Sequence, residues 1–209
     1  MKKLVLLFAV SGLFLTSCVD NPQGDKAATT EAQQAPSDAS GMAYTLNPQE
    51  STLRWEGRKV SATHHGTVQF KSGKVQMSGN QLTGGEFAAD MGTLVNEDLQ
   101  GEWNTKLVTH LKGADFFDIE KHPEATFQIT GVKPGSSPNQ VVVSGNLVIR
   151  GVSKNITFNA DVVEAGDKKV QIKADFNIAR EDWGITYTGM ADDLISKEIN
   201  FKINIVAYA

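Results

Sequence analysis

From Tyr44 onward the chain alternates apolar and polar residues with period two, the pattern of strands that bury one face. The alternation is clearest in the second half. After Phe127 and Ile129 and a turn over Lys133–Asn139, one face carries Val141, Val143, Gly145, Leu147 and Ile149. Ile156, Phe158, Ala160 and Val162 repeat it, then Val170, Ile172, Ala174, Phe176 and Ile178, and last Ile199, Phe201, Ile203 and Ile205. In the first half Leu53, Trp55 and Gly57 alternate with Thr52, Arg54 and Glu56. Lys71-Ser72-Gly73-Lys74 reads as a turn before Val75 and Met77, and Gly85, Phe87, Ala89 and Met91 form a further run. Long consecutive strands with short turns predict an antiparallel meander with one wet face. Its edges are costly unless it closes, and closure at about eight strands leaves an interior that side chains fill or that holds one small ligand. A two-sheet sandwich is the competing architecture. Ala89, Gly145, Ala160 and Ala174 on the inward face fit either tight curvature or unfilled volume.

Asn96 to Lys112 breaks the pattern. Leu99, Trp103, Leu107 and Leu111 recur every four residues, which predicts a helix docked through that stripe. Asn96 is the expected N-cap, with Glu97 and Asp98 in the first turn, and Gly113 is the expected stop. Gly101 costs the helix interior about 1 kcal/mol, so docking must hold it. Helical periodicity ends at Phe116-Phe117, and Pro123 forbids its return. Two adjacent phenylalanines are costly to leave in water. They read as a lid plugging a barrel mouth, the alternative being an ordinary hydrophobic corner.

The first residues carry a different signal. Met1-Lys2-Lys3 is a short positive start to the apolar run Leu4–Leu15, too short to span a bilayer comfortably and laid out as an export signal. It closes on Leu15-Thr16-Ser17-Cys18, which resembles the bacterial lipobox. That resemblance implies removal of residues 1–17 and acylation of Cys18, palmitate-type chains included, with plain secretion as the alternative. Two or more acyl chains, at about 0.8 kcal/mol per buried methylene, anchor a protein essentially permanently. Residues 18–42 then read as the lipidated cysteine and a flexible tether, since hardly any large apolar group lies there. The expected address is the cell envelope: the outer membrane, facing the periplasm, because Val19 rather than aspartate follows Cys18.

Composition narrows the chemistry. The formal charge of −4 becomes more negative by two once Lys2 and Lys3 leave, which argues against nucleic acid. Cys18 is the sole cysteine, so the domain has no disulfide framework, thiol nucleophile or cysteine metal site. His64, His65, His110 and His122 are the only histidines, and neighbours on a strand point to opposite faces. Asp115, Asp118 and Glu120 lack EF-hand spacing and read as caps or solvated groups. There is no nucleophile elbow or phosphate loop. Asp192 and Asp193 read as solvent-facing. Arg180 and Asp182 around Trp183 form either a charged bracket at the rim or, the preferred reading, a structural turn whose tryptophan closes the barrel end. No catalytic residue, metal or cofactor is expected.

Three segments carry a family resemblance: Asp115-Phe116-Phe117-Asp118-Ile119 with His122-Pro123-Glu124-Ala125-Thr126-Phe127, Gly145-Asn146-Leu147-Val148-Ile149-Arg150-Gly151-Val152-Ser153-Lys154, and Arg180-Glu181-Asp182-Trp183-Gly184. In order and spacing they resemble the YceI-like family of bacterial lipid- or polyisoprenoid-binding proteins, over about Tyr44 to Ala209. Val148 and Ser153 stand where threonine is usual, and His64-His65-Gly66 fits the family's His/Gly region loosely. The resemblance implies that residues 43–209 form an extended, lipocalin-like antiparallel barrel with an apolar cavity for a polyisoprenoid or similar amphiphile. The residues expected to line it are Phe87, Phe116, Phe117, Phe127, Leu147, Ile149, Phe158, Phe176, Trp183 and Phe201, with a polar head near Arg180 or His65. The rival readings are a filled-core scaffold acting through its outer face and a lipid-active enzyme. Oligomeric state stays open, a homodimer included.

Overall fold

A computed structural model describes residues 19–35 and 41–209; the expected export signal and Cys18 lie outside the described residues. The elements are β1 (Asp25–Lys26), β2 (Ala28–Glu31), β3 (Met42–Leu46), β4 (Thr52–Lys59), β5 (Ala62–Ser78) and β6 (Gln81–Asn96), then α1 (Gly101–Lys112), then β7 (Glu124–Pro134), β8 (Gln140–Ile149), β9 (Val152–Ala165) and β10 (Lys169–Ala179). A 3₁₀ turn (Arg180–Trp183), β11 (Gly189–Met190) and β12 (Asp193–Tyr208) complete the chain.

The strands close into an eight-stave antiparallel barrel rather than a sandwich. β5 to β10 follow one another as six staves, and β12 pairs with β10. The remaining stave is made of two pieces end to end. β4 bridges β12 to Ala62–Val68 of β5, and β3 bridges its last residues to Lys74–Met77. Ser51, between the pieces, restores the lost ladder: its hydroxyl donates to Val206 O (3.2 Å) and accepts from Val206 N–H (3.0 Å). One end, the cap, carries α1, the β4–β5 and β8–β9 turns and the 180–194 segment. The far end carries the β5–β6 and β9–β10 turns.

Four expectations need correction. Residues 71–74 are not a turn, because β5 runs unbroken from Ala62 to Ser78 and takes up the irregularity as a register shift between Phe70 and Ser72. Such a bulge bends a strand without reversing it. The helix begins at Gly101, with Gln100 as its N-cap, and not at Asn96. Gly101 has φ +57°, which turns the chain into the helix instead of burdening its interior. Asn96 ends β6, and its side-chain oxygen accepts from Leu99 N–H (2.9 Å). The docked stripe is Asn104, Leu107, Val108 and Leu111; Asn104 donates to Asn96 O and Leu99 O, both at 2.9 Å, whereas Trp103 is 69 % exposed.

The third correction concerns the tether. β9 and β10 pair directly only where Ala160–Ala165 faces Val170–Ala174, and towards the cap they part. The N-terminal segment fills that seam. Asp25–Lys26 lies parallel to Phe176–Asn177, Ala27 N–H donates to Asn177 O (2.8 Å), and Ala28–Glu31 pairs with Thr157–Lys154 of β9. Beyond it, Gln33 and Asn146 exchange bonds of 2.9 and 2.6 Å. Ion pairs Lys26–Glu198 (3.4 Å) and Lys154–Glu31 (2.6 Å) flank the segment. It buries little beyond Pro22 and Ala27. What holds it is backbone pairing with two strand edges that would otherwise be unsatisfied.

The fourth follows from the third, because the outer face is not wet throughout. Asn177 and Asn200, polar positions of β10 and β12, are buried beneath this strap. Asn177 Nδ2 donates to Pro22 O (2.8 Å) and Asn200 Nδ2 to Asn177 Oδ1 (2.8 Å).

Candidate functional site

The interior divides into a cap-end cluster around Leu94, Phe117, Ile156 and Ile178 and a far-end cluster around Val75, Met77, Val143 and Val170. They meet at an aromatic waist. Phe158 stacks on Phe176 with ring centroids 4.0 Å apart at 18°, Phe127 lies 5.7 Å from Phe158, and Phe201 meets Phe176 edge-on at 6.1 Å. Such pairs contribute roughly 0.5–1.5 kcal/mol each beyond their buried area. Phe127 and Phe158 stand on β7 and β9, with β8 between them. Gly145 on β8 makes the reach possible, since a Cβ there would run into the Phe127 ring and Gln128 O.

Threaded through the waist is a cavity of about 140 Å³. Its wall runs from Trp55, Leu94 and Phe117 near the cap to Leu82, Ile172 and Ile205 at the far end. Every lining residue is apolar except Thr126 and Lys173. Ala160 and Ala174 face one another across β9 and β10, and both line the void. Of the two origins open for small inward residues, unfilled volume therefore applies here.

The cap is where the three sequence motifs meet. The β8–β9 hairpin turns on Arg150 (φ +54°) and Gly151 (φ +74°), the two positive φ values of a type I′ turn. Arg150 Nη1 donates to Gly184 O (3.0 Å), tying that hairpin to the 3₁₀ turn. Trp183 is fully buried, and its indole N–H donates to Leu147 O (3.0 Å). Arg180 is also buried: Nε donates to Ser196 O (2.8 Å), Nη1 to Ile185 O (2.6 Å), and its guanidinium carbon lies 5.9 Å from the Phe116 ring. Burial lowers its pKa from the usual arginine range, Glu181 opposing the shift. Phe116 packs in turn against Phe117, His110 and Tyr187.

Eight of the ten expected residues thus lie on the cavity wall: Phe87, Phe117, Phe127, Leu147, Ile149, Phe158, Phe176 and Phe201. Phe116 and Trp183 do not; they stand behind that wall as the body of the cap. Arg180 and Asp182 form no bracket at the rim, because carbonyl oxygens hold the guanidinium inside the turn. His65 is no part of the wall either. Its N–H donates to Asp98 Oδ1 (2.9 Å), and Asp98 Oδ2 lies 2.8 Å from His64 Nδ1. The His65 ring is 3.9 Å from the same carboxylate, so the two histidines share a partner although they neighbour on a strand. Burial pushes the Asp98 carboxyl up, but bonds from His64, His65 N–H and Asn96 outweigh it and hold the carboxyl below its ordinary range. Asp193 is not a free solvent-facing group: it accepts from Lys59 Nζ (2.5 Å) and Ser61 N–H (2.9 Å), clasping the β4–β5 turn. No cluster of three metal-ligating side chains occurs among the described residues.

Trp55, Val68 and Leu94 also line the cavity, beyond the ten expected residues. Trp55 shows the same alternation with Leu53 and Gly57 that places the expected strand residues inward. Leu94 lies on a β6 extension beyond Met91, where Gly92 interrupts the pattern.

Comparison with known proteins agrees with this architecture. Over 82 residues the chain is 34 % identical to Protein YceI of Salmonella arizonae, a stretch covering 37 % of this chain and 42 % of that protein. The aligned part therefore spans about two fifths of the relative's length. Burkholderia cenocepacia BcnA shares the fold at TM-score 0.66 and 17 % identity, covering 78 % of this chain and 99 % of BcnA. A polyisoprenoid binding domain from Saccharophagus degradans, implicated in plant cell wall breakdown, superposes at TM-score 0.59 with 16 % identity, over 79 % of this chain and 98 % of that one. Residues 44–207 match the YceI-like domain, nearly the whole barrel, and the chain belongs to the YceI-like family.

Proposed function

We propose that this protein binds a long apolar chain, a polyisoprenoid or similar amphiphile, inside its barrel, while lipid on Cys18 holds it at the cell envelope. The observation that carries the reading is the cavity wall, apolar along the barrel with only Thr126 and Lys173 as exceptions. The polyisoprenoid-binding Saccharophagus relative supports the class of guest. Each buried methylene contributes about 0.8 kcal/mol, so about ten of them reach the scale of micromolar affinity before ordering costs are met. The void is close to the ~150 Å³ that admits a single benzene in an engineered apolar core. A long guest therefore requires the wall to move outward, and Met91, an adaptable side chain on it, and the waist rings are the groups to do so.

The small void also favours a second reading, a filled-core envelope scaffold working through its outer surface. Extraction of the protein from its own membranes under native conditions, followed by lipid mass spectrometry, separates the two. A stoichiometric apolar guest supports the carrier. Repeated recovery without one supports the scaffold.

A further inference from the structure

The described chain begins at Val19, one residue after the cysteine proposed to carry lipid. Val19 and Asp20 face Arg58–Thr63 across a shallow cleft at the β4–β5 turn. Asn21 and Pro22 are already docked: Ser196 Oγ donates to Asn21 Oδ1 (2.8 Å), and Asn177 Nδ2 holds Pro22 O. Four Cα–Cα steps join Pro22 to Cys18, a reach of at most about 14 Å. The anchor is thus confined to the cap end and cannot let the barrel swing freely.

That end also displays the apolar side chains a lipid surface takes up. Val60 is 46 % exposed, Tyr187 39 % and Met190 69 %, and Trp103 stands exposed on the outer side of α1. Val60 sits in the turn that Val19 faces across the cleft, its N–H donating to Leu194 O (3.0 Å), and Met190 pairs with Asp193 next to Leu194. The Tyr187 ring meets His110 of α1 at 4.7 Å. Lys106 Nζ lies 4.9 Å over the Trp103 ring, joining an amphipathic aromatic to a lysine that can snorkel, as at membrane interfaces.

Resting on the lipidation reading above, we propose that the cap end is a membrane-docking face, seated on a phospholipid bilayer with Trp103, Tyr187, Met190 and Val60 at the headgroup–acyl boundary. A bilayer fits better than a protein partner because the chain's own anchor emerges there. The docked geometry sets the packed aromatics of the cap between the lipid and the cavity. Tyr187 touches Phe116, Phe116 touches Phe117, and Phe117 lines the void.

The test reads Trp103 fluorescence. The protein is purified from its own membranes, its Cys18 peptide is weighed for acyl chains, and it is reconstituted into phosphatidylcholine–phosphatidylglycerol vesicles with or without brominated acyl chains. Docking 5–10 Å into the boundary brings the Trp103 ring within reach of the bromines, so the brominated lipid should quench the share of emission that Trp103 contributes. Trp103→Phe should abolish that quenching while flotation with the vesicles is unchanged, because Trp55 and Trp183 are buried. Anchored protein whose Trp103 is equally bright in both lipids overturns the docking face. Unacylated Cys18 refutes the anchor separately. The face is then judged on the same chain coupled through this sole cysteine to a maleimide phospholipid, where an unquenched Trp103 again overturns it.

Discussion

Replacing Ala160 by leucine tests whether the space inside the barrel is usable. Ala160 is buried, faces Ala174 across the β9–β10 ladder, and borders the cavity. Leucine adds three carbons. If they enter the void, their burial adds about 2 kcal/mol of stability at roughly 0.8 kcal/mol each. For a domain of this size that raises the unfolding midpoint by roughly 4–8 °C. The same carbons occupy space a guest would take, so affinity for a long-chain probe should fall by about 2 kcal/mol, roughly 30-fold. If instead the core is already filled, overpacking costs about 1–3 kcal/mol and the midpoint drops. Thermal unfolding followed by circular dichroism and displacement of a fluorescent polyene fatty acid read the two effects on one preparation. Asn159→Leu, one residue earlier on the exposed side of β9, serves as the control and should change neither. A lower midpoint with unchanged probe affinity for Ala160→Leu would refute the reasoning.

Three further outcomes are expected. Trp183→Ala should cost about 3–5 kcal/mol in urea unfolding, because it empties a fully buried site and leaves Leu147 O without its donor; a midpoint near that of the parent would contradict the cap's role. Gly24→Val should dislodge the strap alone, since a Cβ at residue 24 collides with the Asn177 and Asn200 amides. Amide exchange of Ala27–Glu31 should then speed up while that of β5 and β8 stays slow, and retained protection of Ala27 would count against the seam. Lys59, with Ser61 N–H behind it, holds the Asp193 carboxyl below the usual carboxylate range. Its folded pKa is depressed, so the clasp stabilises above the unfolded value of about 3.9 and fades as pH falls through the folded one. Asp193→Asn should therefore be less stable than the parent at pH 7 and indistinguishable from it near pH 2. An equal gap at both pH values would rule the clasp out as the cause.

What the sequence made legible is what side-chain periodicity encodes. Alternation places Phe127, Leu147, Phe158, Phe176 and Phe201 on the inner face, and all five border the cavity. It says nothing of Phe116 and Trp183, which lie outside the strands in the junction after α1 and in the 3₁₀ turn, and which stand behind the wall. Asn104 was missed because a polar residue in a docking stripe contradicts the hydrophobic rule unless its partners are known, and those are backbone carbonyls of the preceding loop. The strap was misread for a deeper reason. Its attachment depends on β9 and β10 diverging 130 residues or so downstream, and pairing to a bare strand edge uses main-chain groups that every sequence possesses. Asn177 and Asn200 gave the one local hint, and on a strand's polar face an asparagine awaiting a backbone partner looks the same as one awaiting water. A free tether would leave the start of the chain unplaced, whereas a segment built into the wall from Asn21 to Gln33 fixes the cap as the end of the barrel from which the residues before Asn21 depart.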